Sequence, residues 1–331
     1  MANIKDKSVI LYYFPGSYYS LKVLHALYEK NISFKKMLIV IVTGEQNEDW
    51  YLKKNNMGEV PCLEIDGKCT AESEDIINVI DQTFHTGPKL VPDVDTAVGN
   101  EVRAFRQLLH DIHIDVITYG VFANREFLLD SSFVDNVKSR ASLIIFAGKR
   151  FSGEVTHLIK FSEKCPPEMK ETINAKIVKV SRKLAKVLDR EEVAKHLNDL
   201  EVIFDRIEER LNKTKREHGD SERLETWLFG TEFTAADITA IGLMIRLCFI
   251  GISPRYFSAE KRPIVQAFYL QALQRPAVQT ILEVMDTSAA VIMKSILTFK
   301  ALKFLKLAAT VGVVALGYVG FKQFMKNSKT S

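Results

Sequence analysis

The sequence predicts an α/β domain followed by an all-helical domain and a single C-terminal transmembrane helix, and three observations carry that prediction. β-rich and helix-spaced runs alternate up to Gly87, strand signals largely vanish after the proline-punctuated Pro88-Lys89-Leu90-Val91-Pro92, and fifteen uncharged residues run from Leu307 to Phe321. A chain of 331 residues, 47% hydrophobic and 26% charged, has an ordinary globular composition and room for about two domains.

Each element has a local reason. Ser8 to Tyr13 is β-rich, and after Phe14-Pro15-Gly16 the segment Ser20 to Glu29 places Leu21, Leu24, Leu27 and Tyr28 at helical spacing. Phe34 to Val42 reads as a second strand, parallel to the first because a helix makes the crossover. A polar, helical-looking stretch follows around Asn47 to Lys54, then a third strand at Pro61 to Ile65, which turns at Asp66-Gly67 into a short fourth. A helix begins near Glu72 to Asp75, where acidic side chains favour the positive end of the dipole. Beyond the linker, Thr234-Ala235-Ala236-Asp237 has the spacing of a capped helix start, with Phe233 placed as a staple. Between about Phe151 and Glu222, Ile173, Ile177, Val180, Leu184 and Val187 recur at helical spacing, as do Val193, Leu197, Leu200, Phe204, Ile207 and Leu211, so two further helices are expected there.

The C-terminal run measures about 22 Å as a helix, short of the roughly 30 Å hydrocarbon core. Lys306 and Lys322 bracket it and can lift their ammoniums to the headgroups, which makes a short span feasible; a buried C-terminal helix is the alternative. In the lead-in Val291 to Lys306, Lys300, Lys303 and Lys306 share one side of an otherwise apolar helix, a composition suited to a membrane interface. Such a segment at the end of the chain inserts after synthesis, and MANIKDKSVILYYF is not a leader peptide, so the bulk is expected on the cytosolic side.

Charge narrows the function classes. The net charge is +4, and Lys322, Lys326 and Lys329 of the tail supply three of those charges, so the body is nearly neutral and has no electrostatic case for nucleic acid. No nucleotide-binding glycine loop is present. Cys62, Cys69, Cys165 and Cys248 lack metal-ligand spacing and read as free thiols, with Cys69, in a turn after Asp66-Gly67, the most exposed and the candidate for a redox role. His110 and His113, beside Asp111 and Asp115, read as a solvated helix face rather than a metal site.

At Gly58-Glu59-Val60-Pro61-Cys62-Leu63-Glu64 a proline opens a strand, which implies an edge strand or a special bond such as a cis peptide. With Glu72-Ser73 eleven residues on, it closely resembles the thioredoxin-like half of glutathione transferases. The resemblance implies that Pro61 is cis, that the backbone of Val60 pairs with the cysteinyl part of glutathione, and that Glu72 and Ser73 hold the γ-glutamyl group. Read without it, Glu72 and Ser73 are helix caps. Trp227-Leu228-Phe229-Gly230 followed by Thr234 and Asp237 resembles the buried N-capping motif of the same family's helical domain, and Arg275-Pro276-Ala277-Val278 resembles the end of one of its late helices. Conjugation needs a hydroxyl that stabilises the thiolate. Ser17 falls where serine-type classes keep theirs and Tyr13 where tyrosine-type classes do, although Ser17 also reads as a turn residue and Tyr13 as a packed strand residue.

A transferase body with a helical insertion and a C-terminal anchor is similar to the ganglioside-induced differentiation-associated protein 1 family, as are Ser17 and Ser20-Leu21-Lys22-Val23. That resemblance implies the cytosolic face of the mitochondrial outer membrane, a role in mitochondrial division, contacts and redox balance, protein partners at that surface, and little or no transferase activity; an active membrane-bound enzyme using Ser17 or Tyr13 is the alternative. No cofactor is required, glutathione being the candidate ligand. A homodimer is expected from the transferase habit, with Cys69 able to link subunits under oxidation. The short, glycine-containing span with basic flanks suits the mitochondrial outer membrane, with the peroxisomal membrane as the other address. The expected organisation is 1–87 thioredoxin-like, 88–98 linker, 99–285 helical with an insertion at about 151–222, 286–306 lead-in, 307–321 anchor and 322–331 basic tail.

Overall fold

The computed structural model describes residues 7–127, 154–218 and 225–286, with 290, 294, 297 and 298 as isolated positions. Four strands, β1 (Val9–Tyr13), β2 (Lys35–Leu38), β3 (Cys62–Ile65) and β4 (Lys68–Ala71), form one sheet in the order β2-β1-β3-β4. β1 and β2 are parallel, with Ile10 opposite Lys35, because α1 (Tyr18–Glu29) carries the chain across; β3 and β4 pair antiparallel to complete the sheet. The β3–β4 turn places both Asp66 and Gly67 at positive φ, the conformation that a two-residue hairpin of this hand requires.

Two expectations are corrected here. The run Phe34 to Val42 is extended only to Leu38: Thr43 Oγ1 donates to the Val40 carbonyl, Glu45 accepts from the Val40 N–H at 2.7 Å, and Ile41–Thr43 winds into a 3₁₀ turn. Cys69 is not in the turn but on β4, half-buried and 3.9 Å from Glu64, and burial and that carboxylate push its thiol up, away from reactivity. The remaining elements of this half are α2 (Asp49–Leu52) and α3 (Ser73–Thr83).

The helical half comprises α4 (Ala97–His110), α5 (Ile114–Ala123), α6 (154–164), α7 (Pro167–Leu188), α8 (Arg190–His218), α9 (Ala235–Ile250), α10 (Pro263–Ala272) and α11 (276–286). α9 has no polar face and lies at the centre, against α1, α4 and α5. Its start is the expected capping box. The Asp237 carboxylate accepts from the Thr234 N–H and Oγ1, each at 2.8 Å, and from the Leu228 N–H at 2.8 Å. Burial raises this carboxyl to about 6 against the pull of those donors.

α7 and α8 occupy the stretch where two further helices are expected. Val193, Leu197, Leu200, Phe204 and Ile207 of α8 join the main core, whereas Val180 and Val187 of α7 pack with Leu158 of α6 in a small separate cluster.

The two halves are joined firmly. Asp81, buried on α3, accepts from Lys30 Nζ at 2.8 Å and from the linker N–H groups of Leu90 and Val91, while the Leu90 carbonyl accepts from Ala235 at the start of α9. Arg275 reaches from the helical half to Glu29 of α1 at 2.8 and 2.6 Å and lies over the rings of Trp227 and Phe233. Met1–Asp286 form one unit and Thr287–Ser331 a second. The expected anchor at 307–321 and the tail 322–331 lie outside the described residues, as does most of the lead-in 286–306. Among the described residues no helix is long and apolar enough to cross a membrane.

Candidate functional site

A cleft of about 860 Å³ opens between the sheet domain and helices α5 and α7. Ser17, Val60, Pro61, Glu72 and Ser73 all line it, so residues up to 56 positions apart in the sequence converge on one surface.

Ser17 is the N-cap of α1. Its N–H donates to the Phe14 carbonyl at 2.9 Å and its Oγ accepts the Ser20 N–H at 3.3 Å, which leaves the hydroxyl proton available for a ligand at the positive end of the helix. Arg246 of α9 donates to the Gly16 carbonyl at 2.9 Å, so the helical half braces the loop that carries Ser17.

The Val60-Pro61 bond is cis. The loop before it is held by the Glu59 carbonyl, which accepts from Tyr51 Oη at 2.7 Å and Asn55 Nδ2 at 2.8 Å. Gly58 has φ of 55°, and a Cβ there would sit 2.5 Å from the Gln46 carbonyl oxygen and 2.8 Å from Lys176 Nζ. The position therefore requires glycine on conformation and on space.

Glu72 has φ of 62° and ψ of 119°, rare for a side-chain-bearing residue, and precedes α3 without capping it by a side-chain hydrogen bond. Ser73 is buried with no partner for its Oγ. A strained acid and an orphaned hydroxyl thus stand together at a helix N-terminus, where exposed backbone N–H groups favour negative charge. The next acid, Glu74, is structural. It pairs with Lys22 and, at 2.7 Å, with Arg106; burial raises its carboxyl, but the two cations more than compensate and bring it down.

Tyr13 is corrected as a site residue. It does not line the cleft; its phenol lies near Lys36 and Tyr28, and burial pushes it up. The tyrosines that do line the cleft are Tyr18, Tyr19 and Tyr119, none of them expected from the sequence, and burial pushes the Tyr18 and Tyr19 phenols well above their usual range. Thr234 and Asp237 are scaffold, away from the cleft.

Sequence reasoning also missed the opposite wall. Lys176, Lys179, Lys183 and Lys186 of α7 line the cleft at spacings of three, four and three, which is one helical face. Lys176 is buried and donates to Asn47 Oδ1 and to the Gly58 carbonyl, each at 2.8 Å; Lys179 meets Glu59 at 2.7 Å and Lys183 meets Asp115 of α5 at 2.5 Å. α7 is thereby fastened to the loop that presents Val60. The spacing was visible in the sequence, but a lysine row on a helix usually marks a solvated face. His113, the residue before α5, is exposed, as is Asp111, and its ring meets that of His196 of α8 edge-on at 4.9 Å. His110 lines the cleft with its Nδ1 buried and unpartnered.

Residues 11–88 match the glutathione S-transferase N-terminal domain family and residues 159–276 the glutathione S-transferase C-terminal domain family. The ganglioside-induced differentiation-associated protein 1-like 1 of Homo sapiens is 27% identical over 282 residues, covering 83% of this chain and 74% of the human one. Its Mus musculus counterpart is 27% identical over 290 residues, with 85% and 75% covered. Among solved structures, the beta-etherase LigF from Sphingobium sp. strain SYK-6 superposes with a TM-score of 0.59 at 24% identity, over 83% of this chain and 99% of LigF. Glutathione transferase F7 from Populus trichocarpa gives 0.54 at 20% identity, over 84% and 99%. These two likenesses are likenesses of fold.

Proposed function

We propose that this chain, which belongs with the glutathione S-transferase-like ganglioside-induced differentiation-associated protein 1 family, uses the cleft to bind glutathione or a peptide-like ligand of the same chemistry, with little or no turnover. The observation that carries the reading is the convergence of Ser17, Val60, Pro61, Glu72 and Ser73 on one cleft. Glu72 and Ser73 take the amino-acid end of the ligand, the Val60 backbone its middle, and the Ser17 hydroxyl faces its thiol. The fastening of α7 onto Gly58 and Glu59 favours retention of a bound ligand over rapid exchange. Sensing or holding glutathione in this way fits a membrane-surface protein that acts through partners, and the apolar run Leu307 to Phe321 with its lysine brackets supports a tail anchor in the mitochondrial outer membrane. In that setting the family resemblance points to mitochondrial division, contacts and redox balance, with the body on the cytosolic side.

The second reading is a working transferase. It is favoured by Ser17, whose hydroxyl proton and helix N-terminus both stabilise a thiolate. Calorimetric titration of glutathione, together with turnover of an aryl halide, separates the two. Binding without turnover, lost in Ser73→Ala, is expected; turnover abolished by Ser17→Ala overturns the non-enzymatic reading. Release of the chain by alkaline carbonate, or unchanged targeting of a tail reporter after replacing Lys322, Lys326 and Lys329 with Ser, counts against the anchor and its basic address respectively.

A further inference from the structure

Two imidazoles and an ammonium meet where α5, α7 and α8 come together. The exposed His113 lines the cleft just before α5, and its ring meets the ring of His196 on α8 edge-on at 4.9 Å. The His196 side chain is only 11% exposed, and its Nε2 is buried without a hydrogen-bond partner. Lys186, in the last turn of α7, also lines the cleft and lies close enough to disfavour a charge on His196. The acids around this junction are mostly occupied or too far. Glu192 and Asp199 of α8 stand 3.6 and 4.0 Å from His196, beyond hydrogen-bond reach. Asp189, between α7 and α8, accepts from the N–H groups of Glu191 and Glu192, and Asp115 of α5 is paired with Lys183. Glu154 of α6 lines the cleft, and toward α10 the acids Glu201 and Asp205 are taken by Lys261 and Arg262.

From this arrangement we propose that the His113–His196 pair is an acid-sensitive latch at the Lys186 end of the cleft. With both rings neutral, α5, α7 and α8 stay closed on one another, and with both charged the start of α5 parts from the α7–α8 junction. The neutral rings make a favourable edge-to-face contact. Charging them sets three cations, with Lys186, against two carboxylates that do not hydrogen-bond to His196, and it places a positive charge at the N-terminus of α5, which the helix dipole opposes. Burial, then His113 and Lys186, hold the His196 imidazole below its usual range although Glu192 and Asp199 pull the other way. Because the folded value lies below the free one of 6.5, the neutral ring favours the closed fold above that pH, and the advantage is lost as pH falls below it. The sheet-side end of α7 remains tied to Gly58 and Glu59 through Lys176 and Lys179, so the change is confined to the Lys186 end. The latch does not depend on what the cleft binds.

The test is hydrogen exchange of the full chain read by mass spectrometry at about pH 7.5 and about pH 5, the range over which histidine changes charge, with rates corrected for intrinsic exchange at each pH. Peptides within 112–118 and 184–196 should lose about tenfold or more of their protection at the lower pH, a value between the limits for two like unit charges at this separation in water and near a protein surface. Peptides of α3 should keep theirs within about twofold, since α3 carries no histidine. His113→Asn and His196→Gln should each abolish the loss. Should His196→Gln already lower α3 protection at the higher pH, His113→Asn, at an exposed position, decides alone. Absence of the loss in the native chain, an equal loss in α3, or a loss that persists in His113→Asn overturns the proposal.

Discussion

The two walls of the cleft are built in different ways. On the sheet side the chemistry is delivered by backbone: a cis Val60-Pro61 bond, a left-handed Glu72, an N-cap at Ser17 and a glycine at 58 that tolerates nothing larger. On the α7 side it is delivered by side chains projecting from a regular helix. A backbone-built wall keeps its shape only while the fold beneath it is intact, whereas a side-chain-built wall can change its charge without disturbing the fold.

The most damaging way to break that contrast is to remove the scaffold common to both walls. Asp237→Ala leaves the Leu228 and Thr234 N–H groups buried without acceptors, and should cost about 4 kcal/mol in urea unfolding with loss of glutathione binding. Next comes the clamp between the halves. Burial raises the Glu29 carboxyl, but hydrogen bonds from Arg275 and His25 outweigh it and bring the group down to about 2 from 4.5. Since the folded value lies below the unfolded one, the stabilisation is present above pH 4.5 and lost as pH falls through 2. About 3 kcal/mol in all should disappear across that window. Urea midpoints measured from pH 7 downward should show the loss in the native chain and a flatter profile in Glu29→Gln. Smallest, and most informative about the comparison, is Lys176→Met. It removes two hydrogen bonds from a charged donor and should cost about 2 kcal/mol. Limited proteolysis should then cut within α7 before the sheet domain; equal protection of α7 in the variant would show that packing alone holds it.

The sheet wall was legible because its devices are local. Val60-Pro61, Glu72-Ser73 and Thr234 to Asp237 each announce a backbone event within a few residues. Ser17 was legible and Tyr13 misleading for one reason: both flank the same turn, but strand alternation points Tyr13 toward Lys36 and Tyr28, and only the sheet register reveals which side that is. The α7 wall was not legible, because nothing local distinguishes a lysine that points at water from one that reaches Gly58, 118 residues away in the chain. The contact is created by α5, α6 and the 3₁₀ turns near Gly44 packing around it, and the ring of His157 against Gly44 is part of the same arrangement. The helices at 154–218 were recoverable from apolar periodicity, which fixes the buried face of a helix but not its neighbour.

The joint at Asp81 bears on how this molecule can move. Rotating one half against the other would strip the linker N–H groups of Leu90 and Val91 from a single buried carboxylate, itself held by Lys30, or pull Leu90 from the start of α9. Such a joint has no play, and hinge bending is closed off as a way to admit a ligand. The sheet domain and the central helices thus meet as a rigid pair, and Lys176, Lys179 and Lys183 tie α7 to the same frame.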